Sequence, residues 1–325
     1  MTKYLVTGAA GFIGSHLAEK LAQRGDEVVG LDNFNDYYDP ARKRANVARL
    51  QRFANVRMVE ADICCRQEML DLFAAEGFDR VAHLAALAGV RNAVQYPERY
   101  VEVNFNGTQN LMDGARFHGV QNFVFASTSS VYGDTRQIPF VESDPCDRPL
   151  QPYAAAKRAA EMLGFTYHHL FGLNFTVVRF FTVYGPRNRP DMMAYLVAES
   201  ITKGHPVPLY EGGRMWRDWT YVDDITDGLV LALDKPLGYE VFNLGRGEPV
   251  LLQDFVTLLE GLAGARGNFV HQPKLSADVV STYADTSKAR TLLGYQPRVS
   301  VEQGVAAFWA WYVQATQTQK EFNHG

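Results

Sequence analysis

The fold is decided by the opening stretch Lys3-Tyr4-Leu5-Val6-Thr7-Gly8-Ala9-Ala10-Gly11-Phe12-Ile13-Gly14. Its apolar start predicts a buried strand over residues 3–7, and Leu17 and Leu21 on one face predict a helix over 15–24 with Ser15 as its cap. Between the two lie Gly8, Gly11 and Gly14. Glycine at the first two positions lets the backbone turn tightly and approach a pyrophosphate, and the third lets helix and strand pack closely. The N–H groups and dipole at the helix N-terminus complete an anion cradle, and Phe12 and Ile13, between the last two glycines, are expected cofactor contacts. A second strand over 27–31 then leads to Asp32, at the interval where a carboxylate can accept hydrogen bonds from an adenosine ribose. Its charge repels a 2′-phosphate, so NAD is expected over NADP. Asp62 and Ile63, after a third strand over 56–60, offer an acceptor for the adenine amino group; a plain strand-end turn is the alternative.

Further strands are predicted over 80–84, 122–127 and 175–180, alternating with helical patterns. That rhythm is the signature of an α/β fold, a doubly wound parallel Rossmann sheet with helices on both faces. After Tyr184 the rhythm breaks into a loop over 185–190, a helix over 192–203 and a Pro/Gly-rich connection over 204–213. Strand-like runs at 220–222 and 241–244 predict a return to the first sheet, followed by helices over 251–262 and 301–312 and a loose tail from Gln314. The expected organisation is a cofactor domain of residues 1–184 and 220–247, interleaved with a smaller lobe of residues 185–219 and 248–325 at its C-terminal end.

Composition narrows the function. A chain of 325 residues with 47% hydrophobic and 21% charged residues is neither disordered nor fibrous. With 32 Lys+Arg against 36 Asp+Glu and a net charge of -4, it has no diffuse basic field for nucleic acid or an anionic membrane. The cysteines Cys64, Cys65 and Cys146 have no metal-ligand or disulfide spacing, which points to a reducing, cytoplasmic setting. The start carries no basic-then-apolar leader, and no stretch approaches the ~20 apolar residues of a membrane span.

Chemistry is concentrated in two places. Tyr153-Ala154-Ala155-Ala156-Lys157 opens an alanine-rich helix, and residues four apart share a helix face. A phenol of solution pKa ~10 becomes a usable base when a nearby ammonium favours its phenolate. The run Ser127-Thr128-Ser129-Ser130-Val131-Tyr132-Gly133 places hydroxyls at the carboxyl edge of the sheet, where doubly wound folds bind ligands. His83 reads as a core histidine and His168 and His169 as ordinary helix residues. Met192, Met193 and the aromatic run Phe308, Trp309, Trp311, Tyr312 read as packing surface.

Together these residues make the chain resemble the extended short-chain dehydrogenase/reductases, in the nucleotide-sugar epimerase and dehydratase branch. Within that branch, Leu31-Asp32-Asn33-Phe34-Asn35-Asp36-Tyr37-Tyr38, Ala88-Gly89-Val90-Arg91 and Phe181-Thr182-Val183-Tyr184-Gly185-Pro186 are similar to motifs of the UDP-glucuronate 4-epimerases. The resemblance implies a bound NAD recycled within each turnover and a UDP-sugar substrate held by the smaller lobe. It implies that Tyr153 takes the O4 proton while C4 is oxidised to a 4-keto sugar, whose hydride then returns on the opposite face. Thr128, with Ser129 beside it, would hydrogen-bond O4, and Lys157 would hold the nicotinamide ribose. Asn33, Asn35, Leu84, Ala85, Ala86 and Asn104 match cofactor-binding positions. Arg217 matches the diphosphate-binding arginine and Asp278 a nucleotide-ribose aspartate, while Arg91, in the loop after the fourth strand, is expected to reach the same anionic substrate, a solvated arginine being the alternative. A homodimer formed through helices starting near Glu98 and Tyr153 is also implied.

Sister reactions need other groups. Related dehydratases carry an Asp-Glu pair where this chain has Ser129 and Ser130, and related decarboxylases carry Glu at the position of Ser130. A C4-oxidised hexuronic acid is a β-keto acid that loses carbon dioxide if its C5–C6 bond aligns with the carbonyl π system. An epimerase must therefore restrain the carboxylate, for which Arg189 is the expected clamp and Thr182 a hydroxyl donor. The alternative for Arg189 is a plain pair with Asp191. Epimerisation of a neutral UDP-hexose, decarboxylation of UDP-glucuronate and a catalytically idle nucleotide-binding module are the competing readings of the whole chain.

Overall fold

The structure, a computed structural model, describes residues 1–272 and 281–322 of the chain. In order, the strands are β1 (Lys3–Thr7), β2 (Glu27–Asp32), β3 (Val56–Glu60), β4 (Arg80–His83), β5 (Asn122–Thr128), β6 (Phe175–Phe180), β7 (Thr182–Tyr184), β8 (Val207–Tyr210), β9 (Trp216–Tyr221), β10 (Tyr239–Leu244), β11 (Pro249–Leu251), β12 (Phe269–Gln272) and β13 (Ser281–Thr282). The helices are α1 (Phe12–Gln23), α2 (Pro40–Leu50), α3 (Arg66–Glu76), α4 (Val90–Gln95), α5 (Pro97–Val101), α6 (Thr108–Phe117), α7 (Pro152–Phe171), α8 (Met193–Lys203), α9 (Val222–Asp234), α10 (Leu252–Ala263), α11 (Ser287–Leu293) and α12 (Val301–Phe322). A π-helical segment, Glu102–Gly107, joins α5 to α6, and a 3-10 turn, Ser129–Tyr132, follows β5.

The main sheet has seven strands in the order β10-β6-β5-β4-β1-β2-β3. Every pairing in it is parallel. Helices cover both faces, so strands such as β5 and β6 are buried along their whole length. The strand order reverses between β1 and β4, and a crevice opens there beyond their carboxyl ends. A Cβ on Gly8, which has φ +70, would lie 2.8 Å from Ala85 N, so only glycine lets the turn after β1 close against the loop after β4.

Several expectations shift. Ser15 is not a cap: α1 begins at Phe12 after Gly11, with no side-chain cap, and the buried Ser15 Oγ donates to Phe12 O at 3.1 Å. The helix starts early because Gly11 N already donates to Gly8 O and Ser15 N to Gly11 O. Residues 241–244 do return to the main sheet within β10, but Thr220 and Tyr221 do not. Their strand, β9, pairs with β7, β11 and β13 in a separate four-stranded sheet, and Val222 opens α9, which packs on α1. The connection over 204–213 contains β8, which pairs with β12. The backbone beyond Gln314 is helical, since α12 runs on to Phe322.

Candidate active site

The crevice is walled by the loops that follow β1, β2, β3 and β4, by α7 and by Arg189 of the loop after β7. Gly8, Gly11, Phe12, Ile13, Gly14, Asp32, Asn33, Asn35, Ile63, Leu84, Ala85, Ala86, Tyr153, Lys157 and Arg189 all line it. A Cβ on Gly14 would sit 2.1 Å from Gly8 O, so the helix end can come this close to the turn only without a side chain. The first turn of α1, having no side-chain cap, points its N–H groups at the cleft floor.

Asp32 is buried at the end of β2. One carboxylate oxygen accepts from Ala10 N at 3.2 Å; the other accepts from Phe34 N at 2.9 Å and pairs with Lys43 Nζ at 3.2 Å. Lys43 also donates to Asn35 Oδ1 at 3.1 Å. Lys43 is thus a cleft residue that sequence reading missed. It comes from α2, eleven residues beyond Asp32, and nothing local marks its side chain as turned inward. The Asp62 carboxylate accepts from Asn33 Nδ2 at 2.9 Å and from Cys64 N at 2.8 Å. Burial pushes its pKa up, but these two donors outweigh burial and the net shift is downward. The cleft wall there is Ala61 and Ile63, so Asp62 acts on the wall through Asn33.

Asn104 departs from expectation. It is fully buried on the π-helical segment, and its carboxamide is given to Leu87: Oδ1 accepts from Leu87 N and Nδ2 donates to Leu87 O, both at 2.9 Å. It shapes the loop after β4 from outside the cleft. His83 is a buried core histidine, its ring nitrogens 2.7 Å from Thr7 Oγ1 and 2.9 Å from Thr108 Oγ1. Burial and Lys157 hold it neutral.

α7 presents the reactive pair. Gln151 caps it by accepting from Ala154 N at 3.2 Å, Pro152 opens it, and Gly172 ends it in the left-handed conformation. Tyr153 and Lys157 both reach the cleft. Burial raises the Tyr153 pKa, while the Arg189 charge and a hydrogen bond with the Thr128 side chain pull it down. Lys157 lies one turn on, 1% exposed, with Nζ 4.5 Å from the centroid of the Phe125 ring. Its pKa falls to about 7 because burial disfavours the ammonium more than Glu161 supports it. Among the described residues Nζ has no hydrogen-bond partner, and it lines the cleft. A buried donor without a partner is what a bound hydroxyl would satisfy.

Behind this pair, Glu161 fastens α7 to the sheet. It accepts from Ser127 Oγ, from Arg179 Nε and Nη2 at 3.1 and 2.8 Å, and from Arg158 Nη1 at 2.9 Å. Thr128 accepts from Ser130 N at 3.1 Å and so starts the 3-10 turn that carries Ser129.

Arg189 stands on the loop after β7. That loop is seated on α1 by Arg187, which pairs with Glu19 at 2.7 Å and donates from Nε to His16 Nε2 at 3.2 Å. Both expectations for Arg189 meet here: it lines the cleft beside Tyr153, and it is paired twice with Asp191, Nε to Oδ1 at 2.9 Å and Nη2 to Oδ2 at 2.7 Å. Thr182 lies half-buried on β7 and Arg217 on β9, both off the cleft wall. Arg217 donates to Trp216 O at 2.9 Å. Arg91 falls on α4, but its side chain, like the whole of Asp278, lies outside the described residues. No helix among the described residues is long and apolar enough to cross a membrane, and none of their acidic, His and Cys side chains cluster as metal ligands.

Residues 4–245 match the model of the NAD dependent epimerase/dehydratase family. A UDP-glucuronate 4-epimerase of Thermodesulfobacterium geofontis is 42% identical over 312 residues, 96% of this chain and 96% of that one. UDP-glucuronate 4-epimerase 3 of Arabidopsis thaliana is 44% identical over 328 residues, 95% of this chain and 76% of that one. Among solved structures, the UDP-glucuronic acid 4-epimerase of Bacillus cereus, in complex with UDP-glucuronic acid and NAD, superposes with a TM-score of 0.90 at 34% identity, covering 97% of this chain and 100% of that one. With the glycine turn, the acid at the end of β2 and the Tyr153–Lys157 pair on one cleft, this chain belongs to the NAD dependent epimerase/dehydratase family.

Proposed function

We propose that the chain is a UDP-glucuronate 4-epimerase, interconverting UDP-glucuronic and UDP-galacturonic acid with a tightly bound NAD. The observation that carries the reading is the meeting of a phenol, Tyr153, and a guanidinium, Arg189, on one dinucleotide-shaped cleft. The residues present fit the cofactor. The uncapped first turn of α1 suits its pyrophosphate, Asp32 with Asn33, Asn35 and Lys43 its adenosine ribose, and the unpartnered Lys157 Nζ its nicotinamide ribose. NAD, when bound, supplies a reversible hydride acceptor, so that C4 can pass through a ketone and return as either epimer.

The chain's own groups handle protons and position. Tyr153 takes the O4 proton and gives it back, its phenolate favoured by Arg189 and by the Thr128 hydrogen bond against the cost of burial. Thr128 and Ser129 hold O4. Arg189, helped by Thr182, binds the C6 carboxylate and keeps the C5–C6 bond out of line with the C4 carbonyl, which suppresses loss of carbon dioxide. Ser130 supplies no acid where decarboxylases have one. Arg217, Arg91 and Asp278 are assigned to the UDP portion. The two-lobe division, cofactor on residues 1–184 and 220–247 and UDP-sugar on residues 185–219 and 248–325, belongs to the same reading.

We assign the protein to the cytoplasm, in keeping with free Cys64, Cys65 and Cys146. We further propose a homodimer. Val94, Val101, Met162 and Phe165 stand exposed on α4, α5 and α7, the last two at 58% and 53%, a larger apolar display than a monomer needs.

The decisive experiment incubates purified protein with UDP-glucuronic acid, without added NAD, and resolves the products by chromatography and mass. A new peak of unchanged mass is expected, replaced in Arg189→Ala by a lighter UDP-pentose. A UDP-pentose from the unaltered protein would show that Ser130 does not exclude decarboxylation, and turnover of UDP-glucose alone would move the substrate to the neutral sugars.

A further inference from the structure

The segment Asn35-Asp36-Tyr37-Tyr38 lies after β2, on the cofactor side of the cleft, yet its Tyr37 reaches across to the loop that carries Arg189. The Tyr37 hydroxyl donates to Asp191 Oδ2 at 3.2 Å, the same oxygen that accepts from Arg189 Nη2 at 2.7 Å. Asp191 Oδ1 accepts from Arg189 Nε at 2.9 Å, so the carboxylate covers one edge of the guanidinium. The Arg189 guanidinium carbon also lies 5.6 Å from the centroid of the Tyr37 ring. Tyr37 has room for this only because residue 89 is glycine: a Cβ there would lie 2.1 Å from the Tyr37 hydroxyl, and its φ is +110. Tyr100 secures that loop by donating to Gly89 O at 3.0 Å and packs edge-on against Tyr153. Three separated stretches of sequence thus converge on one guanidinium.

We infer that Tyr37 and Asp191 form a brace that sets the plane of the Arg189 guanidinium, so that its other edge, Nη1 with the second N–H of Nη2, meets the carboxylate of an acidic sugar. The inference rests on the acid-sugar reading above and deepens it: Asp191 and Tyr37 are positioning residues that act on acid preference through Arg189. A planar fork binds a carboxylate bidentately only when its orientation is held, and an arginine on a loop without such a hold loses that geometry. Arg189 holds the Asp191 carboxyl below its ordinary range against the partial desolvation that raises it, so the brace keeps its charge across the neutral range.

The test measures, by calorimetric titration of protein as purified, how much more tightly UDP-glucuronic acid binds than UDP-glucose. Asp191→Asn keeps the shape but replaces one acceptor by a donor, and should reduce that preference about tenfold. Tyr37→Phe should reduce it less, in the same direction. In turnover, both should raise KM for UDP-glucuronic acid more than they lower kcat, and should release more UDP-pentose. UDP-glucose affinity and the unfolding midpoint, which a merely structural change would alter, should stay near their original values. An unaltered protein with no preference for the acid would overturn the substrate reading and the brace with it. A clear preference that both variants keep intact would overturn the brace alone.

Discussion

Lys157 is a residue whose charge the fold opposes. Its ammonium is buried, faces an aromatic ring and has no hydrogen-bond partner among the described residues, so its pKa falls from the ordinary 10.5 to about 7. The unfolded chain therefore holds the proton more tightly than the native one, and stability from this group rises as pH climbs from about 7 to 10.5. Lys157→Met removes the buried amine. We expect it to abolish turnover while raising the unfolding midpoint of nucleotide-free protein. That gain should be largest below pH 7 and shrink toward pH 10.5, as read by thermal denaturation across a pH series. A midpoint lowered at all pH values would mean that the Lys157 stem matters to packing more than its charge costs.

At the scale of elements, the junction between α1 and the Arg189 loop is held through His16. Its ring accepts from Arg187 Nε at 3.2 Å, and its Nδ1 lies 2.9 Å from Phe12 O, which fits a neutral imidazole with the proton on Nδ1. Burial first, and then the Arg187 charge, lower its pKa from 6.5 to about 3. A depressed pKa means that the contribution is fully present above pH 6.5 and is lost as pH falls toward 3. His16→Gln keeps a side-chain acceptor but does not titrate. The difference in unfolding free energy between the two proteins should then change by about 1.4 kcal/mol per pH unit at its steepest in this window, measured by denaturant titration. No change in that difference would show that the unfolded state does not protonate the ring preferentially.

For the whole molecule, the exposed apolar residues of α4, α5 and α7 lie away from the cleft, those of α7 on the helix that carries Tyr153. Replacing Met162 and Phe165 together by glutamate puts two charges into this face. Light scattering should show the dimer converted to a monomer, with NAD content retained. A monomer in the unaltered protein would leave these side chains exposed and remove the reason for the interface. The arrangement also explains how a substrate site can be built from distant parts. The main sheet positions α1, β2 and α7 around the cleft, and the loop after β7 brings Arg189 to it.

Much of this was legible in the chain itself. The bounds of β1, β3 and β6, the glycine turn, Asp32 and the Tyr153–Lys157 pair follow from short-range physics. Apolar runs make buried strands, glycine permits a turn that a Cβ would block, and residues four apart share a helix face. What the chain by itself could not reveal depends on contacts between segments remote in sequence. Placing β9 in a second sheet required its partners β7, β11 and β13, which lie on both sides of it in the chain. Asn104 looked like a ligand contact until Leu87 claimed both ends of its amide. Lys43 turned inward to meet Asp32, and Arg189, expected either to clamp a substrate or to pair with Asp191, was found paired while still facing the cleft. Local propensity determined which elements form. Only the tertiary structure decided which polar groups face one another, because a buried hydrogen bond depends on the partner that folding brings to it.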